Sequence, residues 1–207
     1  MMNPANPKSI RVDLQLIADM IEPGTRVLDV GCGNGDLLEH LWRTKQVDGR
    51  GIEISTQGVQ SCVSAGLSVV QGDVEKDLHN YPDDAFDYVI LSQTVQAMMN
   101  PRDVLEQTMR IGKRAVVSLP NFGYWRLRVY MLFNGRMPMS ENLPYEWYNT
   151  PNIHFCTIRD FVRLTRHMNL SIEQSLFLDE AGSSKTIGNS VSIANWFGEQ
   201  AVFLLKK

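Results

Sequence analysis

Apolar positions Ile10, Leu14, Ile17 and Ile21 recur at helical spacing, which predicts an amphipathic helix over residues 10–21, ended by Pro23-Gly24. A short apolar strand follows at 26–30, then a helix over 36–42 with Leu37, Leu38 and Leu41 toward one side. Residues 49–54 read as a second strand, 56–65 as a helix closed by Gly66, and 68–71 as a third strand. The run 86–92 is dense in apolar residues, as a strand buried on both faces should be. Pro101 opens a helix that runs to Arg110 and stops at Gly112, and 114–119 is a fifth strand. Strands alternating with helices in this way predict an α/β fold, a parallel sheet with helices on both faces.

The pattern loosens after residue 121. Residues 122–133 mix aromatic and aliphatic side chains with Arg126 and Arg128, a predicted helix ended by Asn134-Gly135 whose two arginines should meet different fates, one near a site and one solvated. Residues 136–156 hold three prolines and the cluster Tyr145, Trp147 and Tyr148, and read as an ordered loop. Thr157 followed three residues later by Asp160 predicts a capped helix over 157–168. Two further strands are expected at 170–178 and 201–205, separated by a small, polar, exposed and mobile stretch at 179–189. With no repeat, linker or low-complexity segment, 1–207 reads as one domain, with 1–22 as an N-terminal helical segment and 122–156 as an insert or lid within it.

Composition narrows the class. The 207 residues are 43% hydrophobic, enough for a sizeable core. A net charge of −3 points to neither nucleic acid nor an anionic membrane surface, and the longest apolar runs are strand-sized. Residues 1–8 are polar and proline-containing, unlike a signal peptide. The cysteines Cys32, Cys62 and Cys156 are widely spaced, and His40, His79, His154 and His167 are scattered, so neither a disulfide framework nor a metal site is expected. Cytoplasmic location is the corresponding expectation.

The chemistry concentrates in Val27-Leu28-Asp29-Val30-Gly31-Cys32-Gly33-Asn34-Gly35, a glycine-rich turn from strand to helix. Glycines there let backbone approach a ligand closely. A dinucleotide fingerprint would need its third glycine at position 36, where Asp36 would repel a pyrophosphate. Asp29 and Asp36 instead suit a ligand carrying a cationic sulfonium and ammonium, which points to S-adenosylmethionine or its product S-adenosylhomocysteine. Glu53, about 20 residues after the first glycine and with Ile54 beside it, is placed to accept hydrogen bonds from ribose hydroxyls. Gly72-Asp73-Val74 ends the third strand, where a carboxylate and a neighbouring amide suit adenine. Ser92 and Gln93 end the fourth strand, where donor and acceptor would meet. All four parts lie at carboxyl ends of strands, the edge at which open α/β sheets bind ligands.

These motifs resemble those of class I S-adenosylmethionine-dependent methyltransferases. The resemblance implies a Rossmann-like fold with a seven-stranded, mostly parallel sheet, helices on both faces and an antiparallel last strand. Longer runs resemble the methionine biosynthesis protein MetW family: 86–94, Leu119-Pro120-Asn121-Phe122-Gly123-Tyr124-Trp125-Arg126, Gly135-Arg136-Met137-Pro138, 143–154 and 156–161. That likeness implies a role beside homoserine O-acyltransferase in methionine synthesis, on a methyltransferase fold whose own reaction is open.

Each feature has a plainer reading. Asp29 also suits bracing of the loop backbone, and Asp73 an ordinary Gly-Asp turn. Ser92 and Gln93 also fit routine polar strand ends. Cys32 is needed for its backbone only, not as a reactive thiol. Arg11 fits a solvated helix face better than a ligand carboxylate. The aromatic segment fits a lid, an acceptor pocket or a partner surface as well as a small satellite core. His154 and Tyr145 are the candidates for a catalytic base, neither with a carboxylate at fixed offset. Acyl transfer by this chain is not expected, because no G-x-S-x-G occurs.

Overall fold

The computed structural model describes residues 10–140, 143–188 and 190–207; segment 1–8, read above for targeting, lies outside them. The expected alternation runs through the first two thirds of the chain. Strands β1 (Arg26–Val30), β2 (Asp48–Glu53), β3 (Ser68–Gln71), β4 (Phe86–Ser92) and β5 (Gly112–Pro120) alternate with helices α1 (Val12–Asp19), α2 (Asp36–Lys45), α3 (Thr56–Ser64), α4 (Val74–Asp77) and α5 (Pro101–Ile111). The short α4 escapes a periodicity reading because four residues span barely one turn. Then come α6 (Trp125–Asn134), α7 (Ile158–His167), β6 (Ser171–Leu178), β7 (Ser184–Thr186), α8 (Val191–Phe197) and β8 (Gln200–Lys206).

The strands form one sheet in the order β3-β2-β1-β4-β5-β8-β6-β7. The pairs linking β1 through β5 are parallel, and β8 runs antiparallel to both β5 and β6. The described residues hold eight strands, one more than expected. The addition is β7, an exposed three-residue edge strand antiparallel to β6. The 179–188 stretch is exposed, as expected, over most of its length, but it pairs in part with β6 and buries Ile187.

Continuous apolar runs serve two faces because strand side chains alternate. From β4, Val89 and Leu91 enter a core with α5 and α7, while Tyr88 and Ile90 enter a core with α1 and α2. β5 and β8 divide likewise, Val117 and Phe203 to the first face, Val116 and Val202 to the second. The fold is thus the doubly covered, mostly parallel sheet that the alternation predicts.

The runs around Asn121 and Thr157 tie the later elements down. Asn121 is fully buried and uses its whole amide: Nδ2 donates to the carbonyls of Asn195 and Gly198, and Oδ1 accepts from the Gly123 and Ile158 amides. Thr157 and Asp160 form the predicted capping box at the start of α7. No helix among the described residues is long and apolar enough to cross a membrane.

Candidate functional site

In the sheet β1 lies between β2 and β4, the point at which successive connections turn in opposite directions. The carboxyl ends of the strands at such a switch point are the usual ligand position in open α/β sheets. The glycine turn sits there. Gly31, Gly33 and Gly35 have φ of 75°, 56° and 83°, a left-handed backbone that glycine adopts without penalty. The three differ in their surroundings. A Cβ on Gly31 would meet Thr94 Cγ2 at 3.0 Å, and one on Gly35 would meet Leu67 Cδ1 at 2.5 Å, whereas one on Gly33 would point into open space. Gly31 and Gly35 therefore serve packing, and Gly33 presents bare backbone to whatever lies over the turn.

Glu53 ends β2 beneath the turn. Its Oε2 accepts from the Gly33 amide and its Oε1 from the Ser55 amide, each at 2.8 Å. Each carboxylate oxygen keeps a further lone pair for a ligand hydroxyl. Ile54, next in the chain, is 67% exposed, an apolar side chain held in solvent beside the carboxylate. The Cys32 thiol packs into the fold: its Sγ lies against Gly51 and 4.0 Å from Cys62 Sγ. Burial, with the charge of Asp29 second, pushes its thiol up, away from a reactive thiolate.

Asp29 is the electrostatic singularity of the site. It is 2% exposed, and its Oδ1 has no hydrogen-bond partner among the described residues. Burial, followed by the charge of Glu53, pushes its carboxyl up to about 7. Bracing the loop would give this oxygen a partner; none is present. An unpaired buried carboxylate oxygen costs free energy unless a cation or donor meets it.

Asp73 lies differently. Its side chain caps α4 through the Glu75 amide and pairs with Lys76 at 2.7 Å, an exposed pair that holds its carboxyl below the usual range. Val74 beside it is buried. Ser92 is half-buried at the end of β4, its carbonyl accepting from Thr94 Oγ1. Gln93 adopts φ of 52° and donates from Nε2 to Asp13 and Gln200.

Arg11, Asp13, Gln93, Tyr145, Glu180 and Gln200 line a cleft of about 470 Å³. Arg11 is exposed, as its reading on a solvated helix face expects, and forms a 2.6 Å ion pair with Asp13 at the rim of this cleft. The two candidate bases are separated. Tyr145 lines this cleft, while His154, exposed, lines another of about 260 Å³ with Gln96 and Phe161. Arg126 and Arg128 are both exposed and have different surroundings. Arg126 pairs with Glu180, and Arg128 donates to the Gly123 carbonyl and covers the Trp196 ring at 4.8 Å.

Asp13, Thr94 and Gly58 escape a sequence reading. Thr94 packs on Gly31 and bonds the Val30 carbonyl. Gly58, on α3, lets that helix approach the turn, since a Cβ there would lie 2.8 Å from the Gly33 carbonyl oxygen. A glycine inside a helical pattern away from its end is the signal that finds it.

Comparison with known proteins agrees with this architecture. The family model for methionine biosynthesis protein MetW matches residues 11–205. A bifunctional methionine biosynthesis protein MetXA/MetW of Rhodopirellula baltica is 35% identical over 188 residues, covering 86% of this chain and 30% of that protein. A fatty-acid O-methyltransferase of Mycolicibacterium smegmatis is 37% identical over 90 residues, 41% of this chain and 32% of that one. The chain thus spans about a third of the length of each. Among solved structures, an S-adenosylmethionine-dependent methyltransferase from Thermotoga maritima superposes with a TM-score of 0.70 at 18% identity, covering 95% of this chain and 87% of that one.

Proposed function

The chain belongs to the MetW family of methionine biosynthesis proteins, and on that premise we propose that it binds S-adenosylmethionine and adjusts the homoserine O-acyltransferase of methionine synthesis. The observation that carries the partner role is the relative whose name joins MetXA and MetW in one chain, of which this chain matches only 30%. The unmatched remainder is where an acyltransferase part would lie, so association within one chain there supports association between chains here.

The residues fit the ligand. The open backbone at Gly33 would receive its amino-acid end, and the unpaired Asp29 oxygen would face the ammonium or sulfonium. Glu53 would take the ribose hydroxyls on its remaining lone pairs, with exposed Ile54 and the Asp73-Val74 turn flanking the adenine. Bound there, S-adenosylmethionine supplies a cationic sulfonium and an electrophilic methyl group. S-adenosylmethionine is made from methionine, so a protein that binds it with different affinity in two states can report supply to the enzyme at pathway entry.

Calorimetry on Glu53→Ala and Gly33→Val tests the site, and affinity weakened at least tenfold is expected; unchanged affinity removes the assignment. Assay of acyl transfer with and without the purified chain tests the partner role, which no complex and no rate change would remove.

A second reading, methyl transfer to a small molecule, draws on the cleft beside Gln93, which has room for an acceptor. Transfer to a good nucleophile needs mainly alignment. Release of S-adenosylhomocysteine on addition of cell extract favours it, and persistent absence across extracts counts against it.

A further inference from the structure

Helix α6 is built against the usual rule for a surface helix. Only Leu127 of its ten residues is buried. With 3.6 residues per turn, Val129, Leu132 and Phe133 project away from Leu127, toward solvent. A solvated helix carries charged or polar residues on that face. Here Val129, Leu132 and Phe133 are 38%, 77% and 80% exposed, and flanking Tyr130 and Met131 are each 42% exposed. Five consecutive apolar side chains thus stand in water on a helix whose inner side rests on a small cluster of Phe122, Tyr124, Leu127 and Leu143.

The outer face formed by Val129, Leu132 and Phe133 exposes roughly 350 Å² of apolar surface, the size of the largest, often functional, patch on a monomer. A stable interface takes about 800 Å² from each partner. Met139, Trp147 and Tyr148, on the segment that follows the helix, are exposed as well. Charge argues against a membrane as occupant. The chain carries a net charge of −3, and although Arg136 beyond the helix is exposed, Arg126 is paired with Glu180 and Arg128 is engaged by Gly123 and Trp196. The face is also too short and apolar to act alone. It has the form of a helix that enters an apolar groove on another protein.

We propose that the outer face of α6 is the surface by which this chain docks into an apolar groove of the acyltransferase; the inference rests on the partner reading given above. The glycine turn, on another part of the chain, is left free to bind its ligand while the complex forms.

The test is a chain carrying Leu132→Ser and Phe133→Ser together, both exposed, so that folding is retained. Wild type and variant are compared for binding to purified homoserine O-acyltransferase by calorimetry, for S-adenosylmethionine affinity and for thermal midpoint. Affinity for the acyltransferase is expected to fall about thirtyfold or more, as for loss of an interface anchor, with ligand affinity and midpoint unchanged. Equal binding of the acyltransferase by both chains overturns the surface and leaves the partner reading intact. Failure of the wild type to bind overturns the partner reading, and the surface with it. Sedimentation and flotation on phosphatidylglycerol vesicles complete the test. A wild-type dimer that the variant dissociates, or vesicle binding that it loses, overturns the proposal if acyltransferase binding is unaffected.

Discussion

A single carboxylate sets the energetics of the glycine turn. Asp29 is buried without a partner for Oδ1, and its pKa is raised to about 7 by burial and by Glu53. An acid whose pKa is higher folded than unfolded binds its proton more tightly in the folded state. Stability of the free protein should therefore fall as pH rises from about 4 to about 7, by a few kcal/mol, and stay low above that. Asp29→Asn removes the titration. Thermal melts at pH 5 and pH 8 should show a drop for the wild type and a much smaller one for the variant, which should also bind S-adenosylmethionine at least tenfold more weakly. Equal pH dependence in the two proteins would contradict the assignment. In the sequence, the glycine turn and the strand positions of Asp29 and Glu53 were legible, because glycine spacing and apolar runs mark where a strand gives way to a turn. Thr94 and Asp13 were not, because each acts by packing or bonding to residues distant in the chain, and nothing local marks a residue for that.

At the scale of elements, legibility followed length and periodicity. The runs that became β1, β4 and β5 and the helices α2, α5 and α7 were long or well capped, and the capping box at Thr157 was read directly from its spacing. α4 and β7 were missed because four and three residues carry no period, and β7 forms only by pairing with β6. The approach of α3 to the turn depends on one residue, Gly58, whose mark in the sequence is a glycine inside a helical run. Replacing a helical glycine by alanine normally stabilises by about 0.5–1 kcal/mol. At Gly58 the added Cβ would lie 2.8 Å from the Gly33 carbonyl oxygen and 2.9 Å from Glu53 Cγ, both parts of the site. Gly58→Ala should therefore lower the thermal midpoint and weaken S-adenosylmethionine binding. A stabilised variant with normal affinity would show that α3 does not set the position of the turn.

For the whole molecule, the decisive fact is the order of strands, which periodicity does not encode. Placing β1 between β2 and β4 gathers Asp29, Glu53 and Gln93, distant in sequence, onto one edge of one sheet. β4 also feeds both cores, through Val89 to one face and Ile90 to the other. A ligand resting on the ends of β1, β2 and β4 is thus coupled to packing on both sides of the sheet. If residues 10–207 act as one domain, heat should unfold them in one cooperative transition. A ligand bound only by the folded state stabilises by about 2.7 kcal/mol at a concentration one hundred times its Kd. For a chain of this length that corresponds to a rise of roughly 5–10 °C. Calorimetric scans with and without S-adenosylhomocysteine should show one peak moving by that amount. Two peaks, only one of which moves, would mean that the part after β5, with α6, unfolds on its own. Ligand occupancy would then have no mechanical route from the glycine turn to the surface proposed for the partner.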